Sequence, residues 1–193
     1  QIELQKGTNI HDAMDKLKDD PNVDYVEPVY VRRAFGMDEF ESSSVVESVY
    51  CRETFYTGGW QWGLEAVSLE DMWKAAPEED REDITIAIVD SGVDMEHYEF
   101  VGSLVPGYDF INNDSDADDD CGHGTHVAGI AAAVHDGKGM AGGAGGAKIM
   151  PVKVLDEDGI GSTVTVINGI LYAVNNGADI INLSLGSDEP SRA

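Results

Sequence analysis

Three short stretches combine residues able to do chemistry with glycines that leave room for it. Asp90-Ser91-Gly92 follows the apolar run Ile84–Val89. Gly122-His123-Gly124-Thr125-His126-Val127-Ala128-Gly129 opens an alanine-rich, helix-favouring segment. Ile180-Ile-Asn-Leu-Ser-Leu-Gly186 is a strand-like run ending in a turn residue. A carboxylate at the carboxyl end of a strand is held at the sheet rim, where open α/β sheets bind ligands. A neutral imidazole can take a proton from a nucleophile. A carboxylate on its other nitrogen fixes the tautomer and stabilises the cation that forms. Asp90 could be that carboxylate for His123. Taken singly, each stretch also has a plainer reading: an Asp turn, a structural histidine (as His126 is expected to be), or a core strand before a turn.

The elements that must carry these residues follow from periodicity. Ile84–Val89 and Ile180–Leu185 read as strands buried on both faces, and Ile149–Leu155 as strand-like. Helices are expected at Leu69–Trp73, at Val127–Val134, and over Val166, Ile167, Ile170, Leu171 and Val174, the last ended by Asn175-Asn176-Gly177. Gly137–Gly146 is a glycine-dense loop. Strands alternating with helices predict an α/β, doubly wound, mostly parallel sheet with helices on both faces. Ahead of it stands a small α+β piece. Ile2 and Leu4 suggest a strand. Thr8 or Asn9 caps a helix through Ile10, Ala13, Met14 and Leu17, which Asp20-Pro21 stops. A second strand over Val23–Val31 is weakened by Pro28. So short a piece cannot build its own core. The polar, acidic stretch 34–57 reads as a linker or exposed processing region.

The chain has 193 residues, with 12 Lys+Arg against 37 Asp+Glu, a net charge of −25. Little cationic surface is available to displace counterions from phosphate, which argues against nucleic acid and against anionic membranes. No apolar run approaches the roughly 18 residues of a membrane span. Cys51 and Cys121 allow at most one bridge, so this is no disulfide scaffold.

Taken together and in this order, the three stretches resemble those of the subtilisin-like serine proteases. Asp90-Ser91-Gly92 is similar to the family's catalytic Asp motif, His123-Gly-Thr-His-Val-Ala-Gly129 to its catalytic His motif, and Asn182-Leu-Ser-Leu-Gly186 to its substrate-binding strand. The likeness covers about residues 60–193, roughly the first half of such a catalytic domain. It implies that Asp90 orients the imidazole, that Ser91 bonds the Asp90 carboxylate, and that His123 is general base and then general acid. It also implies two edge strands, Gly159-Ile160-Gly161 and Ser184-Leu185-Gly186, with an extended polypeptide substrate added between them. Ile160 would help set side-chain preference. The family's Gly-Thr-Ser-Met-Ala motif with its nucleophile, and its oxyanion-hole Asn, do not occur in these residues. Both are expected beyond Ala193, so the chain by itself is expected to be inactive. Asp20–Pro28 resembles the end of the family's inhibitory propeptide, which lays its C-terminal strand in the cleft. The implied organisation is a propeptide remnant at 1–33, a linker at 34–57 and the first half of a catalytic domain at 58–193. Secretion, too, is implied by the resemblance alone.

Asp109, Asp114, Asp116, Asp118, Asp119 and Asp120 crowd the loop before His123. An EF-hand does not fit, because Asp119 and Thr125 stand where its glycine and final Glu belong. The loop resembles the calcium loop of thermitase-like members, which implies Asp109, Asn112, Asp114 and Asp116 as ligands. A solvated acidic loop is the alternative. A second family calcium site would use Glu99 and Asp136 with carbonyls near Val134, Lys138 and Met140. Cys121, His123 and His126 lack a fourth ligand for zinc. Gly137–Gly142 matches a dinucleotide fingerprint but follows a helix, the reverse of that motif's order. A non-catalytic calcium- or zinc-binding module, or a pseudoprotease, is the competing reading.

Overall fold

The structure, a computed structural model, describes residues 9–18, 20–34 and 51–187. In chain order these form α1 (Ile10–Lys18), β1 (Val31–Ala34), α2 (Thr54–Thr57), α3 (Trp62–Ala66), α4 (Leu69–Ala75), β2 (Thr85–Asp90), β3 (Tyr108–Asp109), α5 (His123–Ala132), β4 (Lys148–Lys153), β5 (Ile160–Ser162), α6 (Thr163–Asn175), β6 (Ile180–Asn182) and β7 (Leu185–Gly186).

Successive side chains of β2 point to opposite faces of the sheet, and both faces are covered. Ile86 and Ile88 pack with Ala128 and Ala132 of α5. Ala87 and Val89 pack with Val166 and Ala173 of α6. This strand therefore has a continuous apolar run instead of alternation. The parallel sheet has the order β3-β4-β2-β6. Its register sets Asp90 opposite Lys153 at the carboxyl end of the two central strands. A side-chain capping box, Ser162 with Thr165, starts α6. A third core of Cys51, Tyr56, Trp73 and Ala141 lies beneath α2 and α4.

The second sheet is antiparallel, with β1 between β5 and β7. The α/β, doubly wound reading holds. Several boundaries differ. The expected strand at 23–31 is confined to 31–34, because pairing with β5 and β7, not composition, defines it. Helix α1 buries none of its residues. The run Ile180–Leu185 is not one buried strand. It divides between the two sheets, and β6 is an edge with Ile180 52% exposed. The expected linker is corrected in its last part: Cys51, Glu53 and Tyr56 are buried, and 54–57 is helical. Residues 35–50 and the strand expected near Ile2 lie outside the described residues.

Candidate active site

Asp90 ends β2 and His123 begins α5, and their side chains meet at the rim of the parallel sheet. His123 Nδ1 lies 2.7 Å from Asp90 Oδ1, with both groups buried. An ionised carboxylate only accepts, so Nδ1 carries the hydrogen and Nε2 keeps its lone pair. Burial pushes the Asp90 carboxyl above its ordinary range. The bond from His123 and the Ser91 N–H, 2.7 Å away, pull it back, while Asp119 repels it. Asp90 Oδ2 is buried, with no hydrogen-bond partner among the described residues.

The close approach of α5 to β2 depends on Gly124. A Cβ there would run into the Gly92 carbonyl oxygen and come within 3.2 Å of Asp90 Cβ. Ser91 bonds the Asp90 carboxylate as expected, through its backbone N–H. Its hydroxyl donates to Asp119 (2.8 Å) and accepts the Gly124 N–H (2.9 Å). Lys153, buried, donates to the Ser91 carbonyl (2.6 Å) and to the Asp120 carboxylate. His126 is exposed.

Five of the six residues expected at the substrate edges flank β1. Val31, Arg32 and Arg33 pair with Ser162, Gly161 and Ile160. Arg33 and Ala34 pair with Gly186 and Leu185. Ala34 donates its N–H to the Gly159 carbonyl (3.1 Å), and Thr163 donates to the Tyr30 carbonyl (2.9 Å). Ser184 stands just outside this ladder, where its hydroxyl accepts from Asn182 (2.9 Å). An extended segment of this chain thus fills the slot between the two edges.

Among the described residues, no three His, Cys, Asp or Glu side chains gather to hold a metal ion. The loop 109–116 closes on itself. Buried Asp109 accepts from the Ile111 and Asn112 backbone and from the Asn112 amide, and Asp114 accepts from the Asp116 N–H. Asn112, Asp114 and Asp116 are exposed. In this arrangement Asp109 is buried and engaged by the loop, so a solvated loop describes only the other three. The other set borders the 134–140 loop. Glu99 is buried against the 134–140 loop, with Oε1 accepting the Met140 N–H (2.9 Å). The expectation missed Glu53, which is buried and accepts the Gly137 N–H (2.7 Å). Asp136 is exposed and bonds the Lys138 N–H. Among the described residues, neither Glu53 nor Glu99 meets a Lys or Arg at ion-pair distance. Cys51 and Cys121 are not bridged to one another.

The subtilase family profile, Peptidase S8, matches residues 81–193. The thermophilic serine proteinase of Bacillus sp. (strain AK1) is 35% identical over 97% of this chain and 43% of its own length. Thermitase of Thermoactinomyces vulgaris is 44% identical over 68% of this chain and 46% of its own. The crystal structure of fervidolysin from Fervidobacterium pennivorans, a keratinolytic enzyme related to subtilisin, superposes with a TM-score of 0.71. It is 32% identical and covers 87% of this chain and 28% of that one. A buried Asp–His pair on a parallel sheet, in a chain matched in this way, defines a class: the chain belongs to the subtilase family. It spans less than half the length of these curated relatives.

Proposed function

We propose that this chain is part of a serine endopeptidase in which Asp90 and His123 are two members of an Asp-His-Ser triad. The 2.7 Å contact between them carries the reading. His123 Nε2 takes the proton of a serine nucleophile as the hydroxyl attacks the scissile carbonyl, then returns it to the leaving amine. Asp90 holds the ring and offsets the imidazolium charge. The nucleophilic serine and the oxyanion-hole Asn are supplied by parts of the protein outside these 193 residues, so the chain alone turns over no peptide.

The substrate is an extended polypeptide that adds a strand between Gly159-Ile160-Gly161 and Ser184-Leu185-Gly186. The seating of β1 in that slot supports a zymogen, in which residues 1–33 are the end of an inhibitory propeptide and processing falls before residue 58. Among the described residues no helix is long and apolar enough to cross a membrane. Likeness to the minor extracellular protease Epr of Bacillus subtilis (35% identical over 94% of this chain) supports secretion. A structural calcium ion is proposed at Glu99 and Asp136, with backbone carbonyls near Val134, Lys138 and Met140.

The test is His123→Ala in the full-length protein, assayed on an unstructured polypeptide. Turnover is expected to fall by about 10⁴-fold or more. Turnover within about tenfold of wild type defeats the assignment.

A further inference from the structure

Of the acidic residues crowding the loop before His123, one is bonded unlike the rest. Asp119 Oδ1 accepts from Ser91 Oγ (2.8 Å), Cys121 N (3.0 Å) and Gly122 N (2.9 Å). Its Oδ2 accepts from Thr125 N (2.8 Å) and Thr125 Oγ1 (2.6 Å). Ser91 directly follows Asp90, while Gly122 and Thr125 bracket His123. Gly122, the N-cap of α5, has no side chain to satisfy the helix's first N–H groups. Asp119 caps the helix in its place. Thr125 Oγ1 in turn accepts the Asp94 N–H (2.9 Å), a second tie back to the segment after β2.

We propose that Asp119 is a positioning residue for the Asp90–His123 pair: its carboxylate locks the end of β2 to the start of α5 and places a fixed negative charge beside the imidazole. The proposal rests on the endopeptidase reading and deepens it. Burial pushes the Asp119 carboxyl up, but the bonds from Thr125, Gly122 and Ser91 outweigh burial and hold it below the ordinary range. These bonds favour its ionised form. Besides Asp90, which meets the ring, the elements and segments that carry the pair hold Lys153 on β4, Asp120 and Cys121 in the loop, and His126 on α5. Lys153 is engaged by Asp120 and the Ser91 carbonyl.

The test is Asp119→Asn in the full-length protein, with turnover counted per titrated active site. The amide cannot accept from five donors, so the pair loosens. kcat is expected to fall about 10- to 100-fold, with KM within about threefold. The pH profile carries the sign. A neighbouring anion favours the imidazolium. Removing it disfavours the imidazolium, and the acidic limb of kcat/KM moves to lower pH. A merely structural loss leaves that limb in place. Ser91→Ala, which removes only the hydroxyl link, is expected to lower kcat about three- to tenfold with the limb unmoved. Turnover by the Asp119→Asn variant within about twofold of wild type, or a kcat loss with an unmoved limb, overturns the proposal. If Asp119→Asn does not fold, Ser91→Ala decides, and turnover within about twofold of wild type overturns it. Absence of hydrolysis by the wild-type protein defeats the endopeptidase reading instead.

Discussion

At the residue scale, burial separates groups that look alike in composition. Cys51 is 1% exposed and donates to Glu53 (3.3 Å). Burial and the adjoining Glu53 push its thiol up to about 12. At pH 8 about one Cys51 thiol in ten thousand is ionised, and the thiolate is the reactive form. Cys121 is half-buried and borders the slot that holds Ala34, near Gly159. Iodoacetamide at about pH 8 is therefore expected to alkylate Cys121 at least about tenfold faster than Cys51, as peptide mass spectrometry would record. Equal rates would mean that the core around Tyr56 and Trp73 opens readily. Asp90 and His123 were legible in the sequence because each stands in a short local motif. Asp119 was not, because it is one aspartate among six and its bonds to Ser91 span 28 residues. Glu53 was hidden the same way, since a polar stretch gives no sign that a backbone N–H 84 residues away will bond its carboxylate.

At the element scale, the pair depends on how closely α5 lies over β2, which makes Gly124 decisive. Gly124→Ala drives a methyl group into the Gly92 carbonyl, a backbone atom that cannot swing aside. Gly129, about one and a half turns further along α5, is a control. There a Cβ would meet only the flexible end of Met140, at 2.9 Å from Sδ. Overpacking against backbone is expected to cost about 1–3 kcal/mol of stability and to open the Asp90–His123 contact, with kcat falling about 100-fold. Gly129→Ala is expected to keep kcat within about threefold. Thermal melts and steady-state kinetics on the two full-length variants check this, and equal losses would show that the clash with the Gly92 carbonyl does not set the cost. The parallel strands and their helices were legible because periodicity is local. The division of 180–186 between two sheets was not, because it is set by β1, far earlier in the chain, inserting beside Leu185 and Gly186.

At the scale of the whole molecule, the charge of −25 and the two buried carboxylates at the 134–140 loop pose different electrostatic problems. Exposed acids such as Asp114 and Asp116 are relieved by any salt, since charges beyond about 10 Å are screened at about 0.1 M. Glu53 and Glu99 are out of reach of that screening. A buried carboxylate is costly unless paired, and backbone N–H bonds offset only part of the cost. A dication with oxygen ligands meets the need locally, so the calcium response should saturate while the sodium response should not. At calcium about a hundredfold above its Kd the gain is about 2.7 kcal/mol, a rise in Tm of about 2–8 °C. Glu99→Gln is expected to abolish the saturable part and to leave the sodium dependence unchanged. Calorimetry of the full-length protein with calcium, with chelator, and with chelator plus sodium chloride separates the two. A melting curve indifferent to chelation at constant ionic strength would remove the metal from the proposal. Glu53 and Glu99 would then be carboxylates that the backbone of the 134–140 loop alone has to hold.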